Sequence, residues 1–152
     1  MKRPLALVFM VFFITLGGGG AAICGEGETP PGIIISGEDV DLSQFQWTSR
    51  PLIVFADSPR DPRYIKQMEN ITARLEDLAV RDVVVLTDTT PDAHSALRER
   101  LHPHGFMLVL IGKDGVIYLR KPVPWSVREI NRSIDKLPLR QEEIRERNTG
   151  AS

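Results

Sequence analysis

Thiol chemistry is almost missing from this chain, which carries one cysteine, Cys24, in 152 residues. Past that position there is no partner for an intramolecular disulfide and no thiol nucleophile. A strong charge excess is missing too, because 19 basic side chains face 20 acidic ones for a formal net charge of -1. That balance gives no basis for a nucleic acid or anionic lipid partner. No apolar run reaches the roughly 20 residues needed to cross a bilayer, and there are no internal repeats. GxSxG and comparable nucleophile contexts do not occur.

What is present begins with an export signal. Met1-Lys2-Arg3 is a short basic region, Pro4 to Leu16 is apolar, Gly17 to Gly20 breaks the helix, and Ala21-Ala22 offers small residues for cleavage. This order of positive, apolar and small predicts a signal peptide over residues 1–24. A retained anchor is the rival, but the glycine run interrupts it early. A lipoprotein site at Cys24 is weakened by Ile23, where a small residue is needed. Loss of Lys2 and Arg3 would take the basic count from 19 to 17 against 20 acids, near -3. About 130 residues would remain, enough for one core. The expected location is exported, periplasmic or secreted, with no stable membrane insertion after signal cleavage.

Residues 25–41 include Glu26 to Gly37, rich in glycine, proline and acid, and read as a flexible linker. Leu42, Phe45 and Trp47 form a lead-in, and the domain is expected over 42–145, with 146–152 as a disordered tail. Leu52 to Ala56 is a continuous apolar run bounded by Pro51 and Pro59, the pattern of a buried central strand. Tyr64, Met68, Ile71, Leu75 and Leu78 then recur at helical steps behind an Asp61 cap and Pro62. Asp82 to Leu86 reads as a second strand. Pro91 to Leu101 reads as a second helix capped by Thr90, and Phe106 to Ile111 as a third strand. Gly112-Lys113-Asp114-Gly115 is a hairpin turn leading to a strand over Val116 to Leu119. Val127, Ile130, Ile134 and Leu137 mark a last helix, interrupted at Pro138. The order β-α-β-α-β-β-α, with a central mixed sheet flanked by helices, is the thioredoxin-like α/β plan. A truncated doubly wound sheet would want another strand and helix in place of the hairpin.

In that plan the reactive loop joins the first strand to the first helix, whose N-terminus stabilises a thiolate. Here the loop reads Ala56-Asp57-Ser58-Pro59-Arg60-Asp61-Pro62, with Pro59 and Pro62 near the positions of a CxxC pair. Neither can act as a nucleophile. Gly105-Phe106 stands where a cis-proline would precede the third strand. Ser58 reads as a turn or capping residue, and Arg60 as a solvated loop cation that can also hold an anion at the helix start. His102 and His104 flank Pro103, but with His94 they make no convincing metal set; no metal or cofactor is implied. Asp88 and Asp92 read as turn and first-turn acids. Together Ser58, Arg60, Asp61, Asp88, His102 and His104 form a candidate ligand-contact rim at converging strand ends. Arg50 and Gln67 read as structural polar residues. Asn70-Ile71-Thr72 matches a glycosylation sequon.

Trp47, Arg50 to Ala56, Tyr64 with Gln67, Arg81 to Val85, and above all Leu110-Ile111-Gly112-Lys113-Asp114-Gly115 resemble family 4174 of domains of unknown function. The closing Ile134 to Gln141 is similar to that family's end. The resemblance covers roughly Leu42 to Arg145. It implies a thioredoxin-like fold found in bacterial exported proteins and in secreted matrix and sushi-repeat proteins, with no assigned activity or catalytic residues. The expectation is therefore a non-enzymatic binding module of the cell envelope, with an unknown protein or envelope ligand as partner. The alternatives are an enzyme of peroxiredoxin-like descent using a non-cysteine or metal site, and a structural envelope protein whose edge strand pairs with a partner strand.

Overall fold

The computed structural model describes residues 33–150, so the expected signal peptide lies outside the described residues. Five strands, β1 (Ile34–Ser36), β2 (Arg50–Phe55), β3 (Val83–Asp88), β4 (Met107–Ile111) and β5 (Ile117–Lys121), form one sheet in the order β1-β3-β2-β4-β5. β1 and β2 run parallel to β3, while β4 runs antiparallel to both β2 and β5. The mixed α/β architecture is the thioredoxin-like one read from the sequence.

The continuous apolar run of β2 follows from its central position, because both of its faces are covered. Leu52 and Val54 point to one side, where they pack with Val83, Val85, Leu108, Leu110 and Leu119. Three helices close that side: α1 (Pro62–Thr72), α2 (Leu75–Ala79) and α4 (Val127–Asp135). They contribute Ile71, Leu78, Val127, Ile130 and Ile134. Ile53 and Phe55 point to the other side, against Val84, Leu86, Val109 and Ile111. That side is covered by Leu97 and Leu101 of α3 (Ala96–Leu101) and by Leu42 and Phe45 of a 3-10 turn. A final helix, α5 (Pro138–Gly150), follows α4.

Several elements differ from the sequence expectation. The presumed linker carries β1, because the Val85 amide donates to the Ile33 carbonyl at 2.6 Å and the Gly37 amide to Thr87 at 2.9 Å. The β-branched Ile33-Ile34-Ile35 outweighs the flanking prolines and glycines once a parallel edge is available. Gly37 has a packing reason, since a Cβ there would stand 2.7 Å from Leu97 Cδ1. The first helical stripe is two helices, because the chain turns at Ala73-Arg74. The second helix is a 3-10 turn at Pro91–Ala93 followed by α3, whose cap is Ser95 rather than Thr90. The expected disordered tail, 146–152, is helical as far as Gly150, and Pro138, read as an interruption of the last helix, opens α5. Among the described residues no helix is long and apolar enough to cross a membrane.

Candidate functional site

The C-terminal ends of β2 and β3 and the entry to β4 share one edge of the sheet. Past Phe55 the chain leaves through Asp57 and Ser58, whose Oγ accepts the Arg60 amide at 3.1 Å. Asp61 caps α1 by accepting the Arg63 amide at 2.8 Å. The Arg63 guanidinium folds back onto the same carboxylate at 2.9 Å and holds Asp61 below the usual carboxylate range. It also lies 5.6 Å from the centre of the Phe106 ring, within cation–π reach. The loop surrounds an open concavity of about 500 Å³ lined by Asp57, Ser58, Arg60, Asp61, Pro62 and Arg63.

Opposite stands Gly105, with φ +60, a left-handed backbone that favours glycine. It occupies the place where a thioredoxin-like domain carries its cis-proline. His102 is also left-handed, with φ 45, and closes α3 by donating its amide to Arg98 at 2.8 Å. Its side chain and that of His104 are exposed. Among the described residues there is no group of three or more histidine, cysteine or acidic side chains able to hold a metal ion.

Asp88 does not belong to the exposed rim. It is 1% exposed and enclosed by α3: Ser95 Oγ donates to Oδ2 at 2.5 Å and Arg98 Nε to Oδ1 at 2.8 Å. Arg98 also donates to the Ala56 carbonyl at 2.7 Å and to the Asp88 carbonyl at 3.1 Å, tying the ends of β2 and β3 together. The sequence suggested a turn acid because Asp88 sits in Thr87-Asp88-Thr89-Thr90, but the strand runs on through it. Of the expected rim, Ser58, Arg60 and Asp61 line the concavity together with Asp57, Pro62 and Arg63, while His102 and His104 are exposed and not among its lining residues.

Gln67 is fully buried on α1. Its amide holds the Trp125 backbone by both ends, accepting the N–H at 2.8 Å and donating to the carbonyl at 3.1 Å. Asn70 donates to that carbonyl at 3.2 Å, so the sequon asparagine is engaged in the fold. Arg50 is also fully buried, but at the far end of β2, away from the rim. Its partners are the Arg81 carbonyl and Glu143, the latter from a charged stretch with no distinguishing pattern. Arg63 and Arg98 were not singled out from the sequence. The one available sign was that Arg98 follows Leu97 on the buried stripe.

Strand order, loop placement and the glycine facing the loop define a thioredoxin-like α/β domain built without a thiol at its reactive loop. The chain belongs to the family described as a domain of unknown function (DUF4174), whose model matches residues 41–143. Among solved structures, it is similar to the reduced 2-Cys peroxiredoxin of Plasmodium vivax, 16% identical with a TM-score of 0.54. That likeness covers 68% of this chain and 85% of that one. Thioredoxin peroxidase I of Plasmodium yoelii is 20% identical at a TM-score of 0.48, over 68% and 80% of the two chains. At these identities the shared property is the fold. No curated protein matches the chain.

Proposed function

We propose that this protein is a non-enzymatic binding module of the cell envelope, exported by its N-terminal signal, and that it recognises a protein or surface ligand through the rim. One observation carries this reading. Pro59 and Pro62 stand where a redox pair would be expected, yet the loop opens onto a concavity lined by Asp57, Ser58, Arg60, Asp61, Pro62 and Arg63 rather than being packed away. A rigid loop framed by prolines presents Ser58, Arg60 and Asp61 at little entropic cost, which favours recognition over chemistry. The reading also includes His102 and His104, which are exposed ahead of β4.

The test is capture from envelope extracts by the mature protein and its Arg60→Ala variant. Arg60 is exposed and no hydrogen bond or ion pair of its side chain occurs among the described residues, so the variant should fold normally and capture less partner. Equal capture by both forms would remove the rim from consideration. Peroxide turnover or disulfide reduction by the wild-type protein would instead favour an enzyme. A structural role has one supporting feature, since Ile117 and Tyr118 are partly exposed on the sheet-edge strand β5, with Val116 beside them. Its check is whether charged substitutions at Val116 and Ile117 abolish envelope association.

A further inference from the structure

At the end of the sheet away from the rim, charged side chains converge from five places. Arg50 opens β2 with its side chain 1% exposed. Its Nη1 donates to the Arg81 carbonyl at 2.8 Å and its Nη2 to Glu143 Oε1 at 2.8 Å. Its Nε has no hydrogen-bond partner among the described residues. Lys113, from the β4–β5 turn, places Nζ 2.9 Å from the same Glu143 oxygen and 2.8 Å from Asp82. Arg140 Nη1 reaches the other Glu143 oxygen at 3.0 Å. Arg81 forks onto Asp135 at the end of α4, and Arg140 Nε lies 3.6 Å from that carboxylate. Four cations (Arg50, Arg81, Lys113 and Arg140) therefore face three carboxylates (Asp82, Asp135 and Glu143).

The helix supplying Glu143 has little else to hold it. In α5 only Arg140 is buried, while Gln141, Glu142 and every residue from Arg145 to Gly150 are exposed. The Gln141 side chain adds a hydrogen bond to the Asp135 carbonyl. A helix retained by ion pairs and little apolar area opens at lower cost than the sheet beneath it. Opening takes Glu143 and Arg140 away together and leaves Arg50 and Lys113 fixed to the sheet with only Asp82 between them. A guanidinium held in place without its carboxylate is strongly disfavoured. Its Nη2–Nε edge is also used on one side only, whereas a planar fork best accepts two oxygens at once.

We propose that Arg50 and Lys113 form an oxyanion-binding seat, kept closed by the chain's own Glu143, which takes a carboxylate or phosphate group when α5 opens. The ligand binds the open form alone and so draws the population toward it. This seat is independent of the rim.

Hydrogen exchange across α5 in the full mature chain tests this, with inorganic phosphate and acetate titrated separately at constant ionic strength set by sodium chloride. Exchange in α5 should speed up saturably, by about threefold or more, with one or both anions, while the β2 amides keep their rates. Whichever anion acts identifies a phosphate or a carboxylate source. In Glu143→Ala the same anion should raise Tm saturably, and the added Lys113→Ala change should abolish that rise. Lys113 is chosen because loss of Arg50 endangers folding. No anion-dependent change in wild-type α5 exchange, or an equal Tm rise in the Glu143→Ala/Lys113→Ala protein, would overturn the proposal.

Discussion

Each end of the sheet hides an arginine bonded to a carboxylate, Arg98 to Asp88 and Arg50 to Glu143, and the two arrangements are built differently. At the rim end Asp88 belongs to β3 and Arg98 to the helix that follows it. Three oxygens accept from Arg98 Nε and Nη2, namely Asp88 Oδ1 and the Ala56 and Asp88 carbonyls. At the far end Arg50 belongs to β2, but its carboxylate comes from α5, 93 residues later, and its Nε has no partner among the described residues. A buried pair whose hydrogen bonds are complete stiffens the fold around it, whereas an incomplete one leaves capacity for another partner. The first pair accordingly supports the loops of the rim. The second closes a seat with a movable helix.

Removing Asp88 tests the stiff end most severely. Asp88→Asn strips the charge that balances a 10%-exposed guanidinium and should cost about 3–5 kcal/mol, read by denaturant unfolding. If the cost is below about 1 kcal/mol, Arg98 has found compensation and the contrast between the ends fails. Gln67→Ala should cost about 1–3 kcal/mol, because the Trp125 N–H and carbonyl both lose partners where water has little access. A near-neutral result would mean that Asn70 alone holds that loop.

Glu143 gives a pH-dependent comparison. Burial acts to raise its pKa, but hydrogen bonds from Arg50, Lys113 and Arg140 outweigh burial and bring it from 4.5 to about 2. A carboxyl with a lowered folded pKa stabilises the fold fully above its unfolded value. That contribution fades as pH falls from about 4.5 through 2, and amounts to at most about 3 kcal/mol. Other lowered carboxylates, Asp61 and Asp135 among them, act in the same direction. The difference between wild-type protein and Glu143→Gln is therefore the informative quantity. The variant should lose about 1–2 kcal/mol at neutral pH and show a shallower acid slope, followed by circular dichroism. Identical slopes would show that Glu143 does not latch α5. The smallest effect belongs to Arg60→Ala, within about 0.5 kcal/mol of wild type in stability while partner capture falls.

Much of the fold was legible in the residues, for reasons specific to each element. The run Leu52 to Phe55 announced a two-sided central strand because consecutive side chains there face opposite layers and none is polar. Tyr64, Met68 and Ile71 marked the covering helix by period. β1 was hidden, because Glu26 to Gly37 has a tether's composition and a three-residue edge strand exists only where β3 offers it hydrogen bonds. The cap of α3 was misread for a related reason, since Ser95 competes with Thr90 and the choice depends on Asp88 being there to meet Ser95. Of the expected rim, Ser58, Arg60 and Asp61 were singled out from loop position alone, and these three line one concavity. Asp57 and Arg63 emerged only when Phe106 and Gly105 came to face them.

By itself the sequence determined that no thiol pair can operate in the domain, that the sheet has two covered faces, and that one loop framed by Pro59 and Pro62 stands at a helix start. These are local properties, set by composition, period and the restricted backbone of proline. Only the tertiary structure decided that Asp88 is buried, that Gln67 holds Trp125, and that Glu143 closes on Arg50 and Lys113. Each depends on residues far apart in the chain meeting where water is scarce. In such places the worth of a charge is set by which partner reaches it, and sequence position does not reveal that partner.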